Sequence, residues 1–310
     1  VRVSNLEKKV GNLYWSGDAR MRYTASSSDQ KADAYDGRIR LNVKGQVNDA
    51  TYVQGQFVNN MNFKDEASSN TTMAQIYVNH NFNKNVAVRL GRQPIAFGNQ
   101  GGWLYNGLEG YDGAQVSYNN GKLALTTGFG QLNASDMAEV KKDDMYFAKG
   151  AYDFGFAKLN ADYIADKDGK AQYRDEIYGV GLNIPVQKFN VFGEYWKNTT
   201  ALDDHDTAWN AGLSYGKADW KKAGTWDLSV AYNDVDYGVY FGGGTWHNDM
   251  LKNLNNSKYI EADNLTFWTA IANVTLQKNV QLHAEYAFAA DAEGVNNEDD
   301  AWTVSLNYKF

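Results

Sequence analysis

Hydrophobic alternation with a period of two runs through almost the whole chain and constrains its fold most strongly. In residues 13–24, Leu13, Trp15 and Met21 share one face, whereas Asp18 and Arg20 share the other. Such alternation is typical of β-strands with one apolar and one polar face. A tilted strand needs ~9–11 residues to cross a bilayer. About sixteen segments of roughly this length follow the pattern: 13–24, 35–48, 51–62, 71–82, 86–96, 110–119, 122–131, 144–153, 157–166, 174–184, 189–197, 207–216, 224–234, 264–276, 280–290 and 300–310.

The connections between these segments alternate in length. Short ones such as Asn119-Asn120-Gly121 are rich in residues that tolerate the positive φ of tight hairpin turns. Long polar connections fall between them, at 25–34, 63–70, 97–109, 132–143, 167–173, 198–206, 235–263 and 291–299. This order predicts an up-and-down antiparallel meander with short connections at one end and long connections at the other.

Two kinds of fold produce this alternation, a soluble β-sandwich and a membrane β-barrel. Aromatic residues such as Trp209 and Tyr215 stand at the ends of the apolar stripes, where interfacial girdles form. Small residues such as Ala211 stand in the middle, where a protein core would be left with voids. An even number of strands also closes without an exposed edge. We therefore predict an all-β fold, a transmembrane antiparallel β-barrel of about sixteen strands over residues 12–310.

The first eleven residues follow a different period. Val3, Leu6 and Val10 are spaced as on one face of a helix, and Gly11 follows as a stop signal. This spacing predicts the end of a helical or coiled-coil stalk over residues 1–11, with a frayed helical terminus as the alternative.

Composition excludes several other classes of protein. A mean hydropathy of -0.58 and the lack of an 18-residue apolar run exclude a helical membrane bundle. The net charge of -7 argues against a nucleic-acid-binding protein, and an aromatic content of 14% argues against intrinsic disorder. The chain has no cysteine, which excludes disulfides and thiolate metal sites.

The carboxyl-terminal segment resembles the last strand of bacterial outer-membrane proteins. Trp302, Val304, Leu306 and Tyr308 alternate with polar residues, and the sequence given ends on Phe310. The resemblance implies that Tyr308 and Phe310 form the signal read by the barrel-assembly machinery. Residues 13–310 resemble a general diffusion porin of about sixteen strands.

This resemblance implies a passive channel for small hydrophilic solutes and ions. The channel is expected to form a homotrimer in outer-membrane lipid, without a cofactor. In such porins the third long loop folds into the lumen and narrows it. Here that loop is 97–109, and its four glycines suit a chain that bends back into a crowded pore.

The amino-terminal stub resembles the junction in OmpM-type porins of diderm Firmicutes. In these proteins a peptidoglycan-binding surface-layer-homology domain and a coiled-coil stalk precede the barrel. The resemblance implies a tether to the cell wall through an upstream region. Two alternatives to a passive sieve therefore stay open: a substrate-specific, sugar-type channel and a mainly structural tether.

Basic residues gather on the inward face of three of the predicted strands. Arginine suits such a row because its guanidinium stays charged when crowded, and a cationic wall facing an acidic loop sets a field across the pore. The alternative is that these arginines form salt bridges that brace the wall. The predicted constriction comprises Arg20, Arg22, Arg38, Arg40 and Arg89, with Glu109 as the acidic counterpart. Further lumen-lining residues are Lys44, Gln54, Gln56, Asp162, Glu194, Asp227 and Glu285.

Residues for catalysis or metal binding are scarce. The four histidines lie in no Gly-x-Ser-x-Gly or His-Glu-x-x-His motif. The acidic run 203–206 offers carboxylates of the kind that Ca²⁺ prefers, but a solvated loop tip is the simpler interpretation. We therefore predict no enzyme activity, no metal and no cofactor.

Overall fold

The computed structural model describes residues 11–27, 33–64, 69–99, 102–132, 143–167, 176–201, 204–239, 263–293 and 300–310. Each strand pairs antiparallel with the next, and β1 pairs with β16, so that the sheet closes into a barrel. The predicted sixteen-stranded antiparallel barrel is confirmed. The strands are β1 (Leu13–Ser26), β2 (Ala34–Asn48), β3 (Thr51–Asn62), β4 (Ser69–Asn81), β5 (Val86–Phe97), β6 (Tyr105–Asn119), β7 (Leu123–Leu132), β8 (Asp143–Asp153), β9 (Lys158–Asp166), β10 (Glu176–Val186), β11 (Phe189–Asn198), β12 (Thr207–Gly216), β13 (Trp226–Asp236), β14 (Asn264–Gln277), β15 (Val280–Ala292) and β16 (Ala301–Lys309).

The main departure from the predicted strand bounds concerns β6. It begins at Tyr105 rather than at residue 110, so the connection after β5 spans only residues 98–104. The predicted helical stub covers residues 1–11, and all of it except Gly11 lies outside the described residues. No helix in the described part of the chain is long and apolar enough to cross a membrane.

The two faces of the wall follow the predicted alternation. Outward side chains are apolar and exposed, as for Trp15, Ile76 and Leu90. Inward side chains are often charged. Arg20, for example, points inward and is only 6% exposed. Because hydrocarbon offers no hydrogen bonds, a sheet that spans a membrane must close into a barrel and present an apolar outer surface, as this one does.

The two ends of the barrel differ in the length of their connections. At one end the strands are joined by residues 49–50, 82–85, 120–122, 154–157, 187–188, 217–225 and 278–279. We call this the short-turn end. In outer-membrane barrels short turns face the periplasm and long loops face the exterior.

The barrel closes at a seam between the first and last strands. Gly17 donates its backbone N–H to the carbonyl of Phe310 at 2.7 Å, and Phe310 donates to the carbonyl of Gly17 at 3.0 Å. A Cβ atom on Gly17 would lie 2.5 Å from the Phe310 ring. The glycine therefore lets the terminal aromatic ring cover the seam.

Part of β5 and β6 leaves the wall of the barrel. The β4–β5 ladder ends at the pair Ile76–Arg92, whereas the β5–β6 ladder continues to Phe97–Tyr105. The register shifts beside Pro94, in agreement with the bulge that a proline favours within a strand. Gly110 has a φ of 49°, and a Cβ there would lie 1.9 Å from the carbonyl oxygen of Gln93. We call residues 93–110 the inner hairpin.

Candidate pore constriction

The tip of the inner hairpin is hydrogen-bonded to the opposite side of the barrel. The backbone N–H of Gly98 donates to Asp162 Oδ2 at 2.8 Å, and that of Asn99 donates to Glu194 Oε2 at 2.9 Å. The indole Nε1 of Trp103 donates to Asn233 Oδ1 at 3.0 Å. The three acceptors lie on β9, β11 and β13, so the hairpin extends across the lumen from its base in β5 and β6.

Two glycines make this docking sterically feasible. Gly98 has a φ of 97°, and a Cβ there would lie 2.4 Å from Glu194 Oε2. A Cβ on Gly181 would lie 2.5 Å from the side-chain nitrogen of Asn99. That side chain donates to the Gly193 carbonyl at 3.0 Å and accepts from Asn183 Nδ2 at 3.0 Å.

Apolar side chains of the inner hairpin pack against the inner surface of the wall. Phe97 contacts Phe147 edge to face, with ring centroids 5.8 Å apart. Lys149 donates to the carbonyl of Ala96, and its Nζ lies 5.3 Å from the centroid of the Phe97 ring. The hairpin thus covers one side of the lumen through an apolar, buried interface. Its core includes Ile95, Phe97, Trp103, Leu104, Tyr105, Met145, Phe147, Ile164, Ile177, Trp196, Val235, Leu265 and Phe267.

Two of the predicted lumen-lining acids have a different environment from the one expected. Asp162 and Glu194 face inward, but each is only 5% exposed because the inner hairpin covers them. Glu194 also accepts from Trp196 Nε1 at 3.0 Å and from Asn210 Nδ2 at 3.2 Å. These two carboxylates therefore hold the hairpin instead of lining open water.

Four predicted arginines come together on β1 and β2 and share two carboxylates. Asp36 pairs with Arg20 at 3.3 Å and with Arg22 at 2.7 Å. Asp18 likewise pairs with Arg38 at 3.5 Å and with Arg40 at 2.8 Å. We call Arg20, Arg22, Arg38 and Arg40 the arginine cluster.

The arginine cluster retains positive charge and unused donor capacity. Four guanidinium groups face two carboxylates, and Arg20 and Arg38 stand directly opposite each other in the ladder. The Nε atoms of both are buried without a hydrogen-bond partner among the described residues. Like charges held side by side favour an anion nearby, because an anion lowers their mutual repulsion.

Arg89 and Lys44 form a separate group nearer the short-turn end. Arg89 lies three residues after Val86, donates to Asn79 Oδ1 at 3.2 Å and covers the Tyr77 ring at 5.0 Å. Lys44 Nζ lies 4.3 Å from the centroid of the Tyr52 ring.

The remaining predicted lining residues are mostly engaged in local bonds. Gln54 donates to the Gly55 carbonyl at 3.2 Å, and Gln56, which is 7% exposed, donates to Asn42 Oδ1 at 2.7 Å. On β13, Asp227 accepts a hydrogen bond from Asn273 Nδ2 of β14 at 2.7 Å.

Glu285, another of the predicted lining residues, forms a hydrogen bond with a histidine. The nearest atoms of Glu285 and His283 are 2.9 Å apart.

Glu109 lies in a different kind of element from the one predicted. The prediction placed it at the end of a loop, but it belongs to β6, because strand pairing resumes at Tyr105. Its side chain lies outside the described part of the structure, and its predicted role opposite the arginines stays a prediction.

The described residues contain no candidate metal site. No group of three or more histidine, aspartate or glutamate side chains there is arranged to hold a metal ion. The acidic run 203–206 lies partly outside the described residues.

Comparison with known proteins agrees with this architecture. Residues 9–101 match the family model described as phosphate-selective porin O and P. A variant of the Rhodopseudomonas blastica porin with five substitutions has a TM-score of 0.64 at 12% identity, and the alignment covers 96% of this chain and 100% of that one. A triple mutant of the same porin gives a TM-score of 0.63 at 13% identity, with the same coverage of both chains. No curated protein matches the chain in sequence.

The two kinds of similarity cover different parts of the chain. The family model matches less than a third of it, over β1 to β5 and the start of the inner hairpin. The solved structures share the fold over nearly all of it. Together with the closed barrel and its apolar outer surface, these matches show that the chain has the fold of porins, and they support a passive diffusion channel of the bacterial outer membrane.

Proposed function

We propose that solutes cross this porin between the inner hairpin and the wall that carries the arginine cluster. The observation that carries the proposal is the position of the hairpin anchors. They lie on β9, β11 and β13, whereas the arginines lie on β1 and β2, four to eight strands away around the ring of sixteen. A hairpin held on one side leaves an eccentric passage, narrower than the barrel, whose far wall is basic.

We further propose that this passage favours small anions. The arginine cluster carries more positive than negative charge, and a low-dielectric wall concentrates its field in the lumen. Its ion pairs also brace β1 against β2, so the electrostatic and structural roles coexist. The description of the matching family model names phosphate-selective porins. For this chain we propose only a preference for small anions.

A sugar-specific channel receives less support. Such a channel needs open aromatic faces on which sugar rings stack. Among the described residues, the inward tyrosines Tyr52 and Tyr77 could supply such faces, but they have cations over their rings at 4.3 and 5.0 Å. These faces are therefore occupied by Lys44 and Arg89.

Replacing Arg38 and Arg40 with alanine tests the basic wall. We expect the reversal potential under a KCl gradient in a planar bilayer to shift toward cation selectivity, because two positive charges are lost and Asp18 loses its partners. The shift should shrink at high salt, since the screening length falls from ~10 Å at 0.1 M to ~3 Å at 1 M. The control replaces Lys84 and Lys122, two lysines in turns at the mouth of the barrel, and should shift selectivity much less, because neither lies in the passage. An equal reversal potential in the wild type and the Arg38/Arg40 variant would show that the cluster only braces the wall.

We propose that the protein assembles as a homotrimer through the outer surface of β4 to β6. Arg92 donates to both oxygens of Asp112 at 2.7 Å, and both side chains point outward between the exposed Ile76 and Leu90. Charged side chains on the lipid face of a barrel are unfavourable, and a second copy of the chain would shield them.

Replacing Arg92 with alanine should weaken this assembly, because Asp112 would lose its charged partner inside the interface. We expect the mass of the folded protein in detergent, measured by light scattering after size exclusion, to fall from trimer toward monomer. Replacement of Lys122, in a turn, is the control and should leave the mass at that of a trimer. A trimeric mass for the Arg92 variant would place the interface elsewhere.

Two proposals from the resemblance concern other partners. We propose that Tyr308 and Phe310 are read by the barrel-assembly machinery, and the exposure of the Phe310 ring supports access to it. A tether to the cell wall through a region upstream of residue 11 is likewise proposed from the amino-terminal spacing alone.

A further inference from the structure

Positive charge is concentrated at the short-turn end of the barrel. The whole chain has a net charge of -7. The only acids in the described connections at this end are Asp49 and Asp219. Against them stand seven exposed lysines: Lys84, Lys122, Lys188, Lys217, Lys221, Lys222 and Lys278. This end is therefore basic on an acidic protein.

Five lysines lie together below β12 to β16. Lys217, Lys221 and Lys222 belong to the connection 217–225, Lys278 belongs to the next turn, and Lys309 ends β16. We call these five residues the lysine platform. Asn279 donates its backbone N–H to the Trp220 carbonyl at 2.7 Å, and Lys309 donates to the Asn279 carbonyl at 3.0 Å. The three segments are thus bonded to one another.

The connection 217–225 has a defined internal structure. Asp219 donates its backbone N–H to Thr225 Oγ1 at 2.8 Å, and its carbonyl accepts from Lys222 N at 2.9 Å. Its carboxylate accepts from the backbone N–H of Lys221 at 2.9 Å. The Nζ of Lys309 lies 4.0 Å from the centroid of the Trp220 ring. The lysines therefore project from an ordered base, which lowers the entropy lost on binding.

Aromatic rings lie beside the lysine platform on the outer surface of the barrel. The Phe189 and Tyr215 rings are 4.9 Å apart, and the Tyr215 and Trp226 rings are 5.5 Å apart. Phe189 and Trp226 are 45% and 48% exposed. Aromatic side chains of this kind occupy the headgroup level of a bilayer.

We infer that the lysine platform and this aromatic row bind an anionic phospholipid of the periplasmic leaflet. The lysines contact the headgroup phosphate, and the acyl chains lie along Phe189, Tyr215 and Trp226. Each basic residue near an anionic lipid surface strengthens binding, and adjacent aromatic rings hold the contact at the interface. An anionic cell-wall polymer would find the same charge, but it would not use rings that face the hydrocarbon boundary.

The test measures lipid binding by the folded chain in zwitterionic detergent with native mass spectrometry. We expect phosphatidylglycerol to bind more tightly than phosphatidylcholine. Replacing Lys217, Lys221 and Lys222 with alanine should weaken phosphatidylglycerol binding on the order of 10- to 100-fold and leave phosphatidylcholine binding unchanged. Conductance in a planar bilayer reports that this variant is folded.

The matched control replaces Lys84, Lys122 and Lys158, three exposed lysines of the same end that lie outside the lysine platform. Its phosphatidylglycerol affinity should stay close to that of the wild type. Equal losses in both triple variants, or equal binding of the two lipids by the wild type, would overturn the inference. Co-sedimentation with peptidoglycan that depends on the lysine platform, with lipid binding unchanged by the substitutions, would overturn it in favour of a cell-wall partner.

Discussion

Replacing Trp103 with alanine should open the channel more than any other single substitution. Trp103 is 1% exposed, packs in the core between the inner hairpin and the wall, and bonds to Asn233. Removal of such a buried side chain costs about 3–5 kcal/mol. The hairpin tip takes no part in the wall ladder beyond Arg92 and Tyr111. The loss should therefore release the hairpin and leave the barrel folded.

The measurement is single-channel conductance in a planar bilayer. We expect a larger and noisier open level for the Trp103 variant, because a released hairpin moves within the passage. Trp15, which is 66% exposed on the outer surface, supplies the matched control, since its replacement by alanine removes an indole without touching the lumen. If both variants conduct like the wild type, the inner hairpin lies outside the conduction path.

Lysine introduced at Val230 should strongly impair folding into lipid, whereas lysine at Ser229 should be tolerated. Val230 lies on the outward face of β13 beside the exposed Leu213, and Ser229 lies on the inward face. A cation near the bilayer midplane on the lipid face of a barrel costs about 2–4 kcal/mol. Since native proteins have only about 5–15 kcal/mol of stability, this is a large fraction.

The two variants introduce the same residue one position apart in the same strand, so the main difference between them is the face of the sheet that carries the charge. Heat-modifiable gel mobility after refolding into vesicles gives the folded fraction, and urea titration gives the change in the free energy of unfolding. We expect a clear loss for Val230→Lys and a small change for Ser229→Lys. Similar losses for both would contradict the assignment of the lipid and lumen faces.

The wall of the barrel could be predicted from the sequence because its determinants are local. Alternation within each strand and turn formers between strands are read from neighbouring residues, and they gave sixteen strands close to those observed. The gathering of Arg20, Arg22, Arg38 and Arg40 followed from the same inward parity. Their partners Asp18 and Asp36 were missed, although both share that parity and stand opposite Arg40 and Arg22 in the ladder.

The inner hairpin could be predicted only in outline. Its contacts join residues far apart in sequence, such as Gly98 with Asp162 and Trp103 with Asn233. No local pattern encodes which inward carboxylate a loop will meet, so Asp162 and Glu194 were expected to line open lumen. One signal was available. Phe147 and Ile164 are large apolar residues at inward positions. A water-filled pore favours polar residues there, so these two indicate that something apolar covers them.

The lysine-rich short-turn end also has a consequence for ion flow. Acidic residues dominate the long connections, for example in 203–206 and 298–300. The two mouths of the barrel therefore hold opposite counter-ion clouds at low ionic strength. Anions are enriched at the periplasmic mouth and cations at the exterior one. The channel should behave as a rectifier, whose current depends on the sign of the applied voltage as well as on its size.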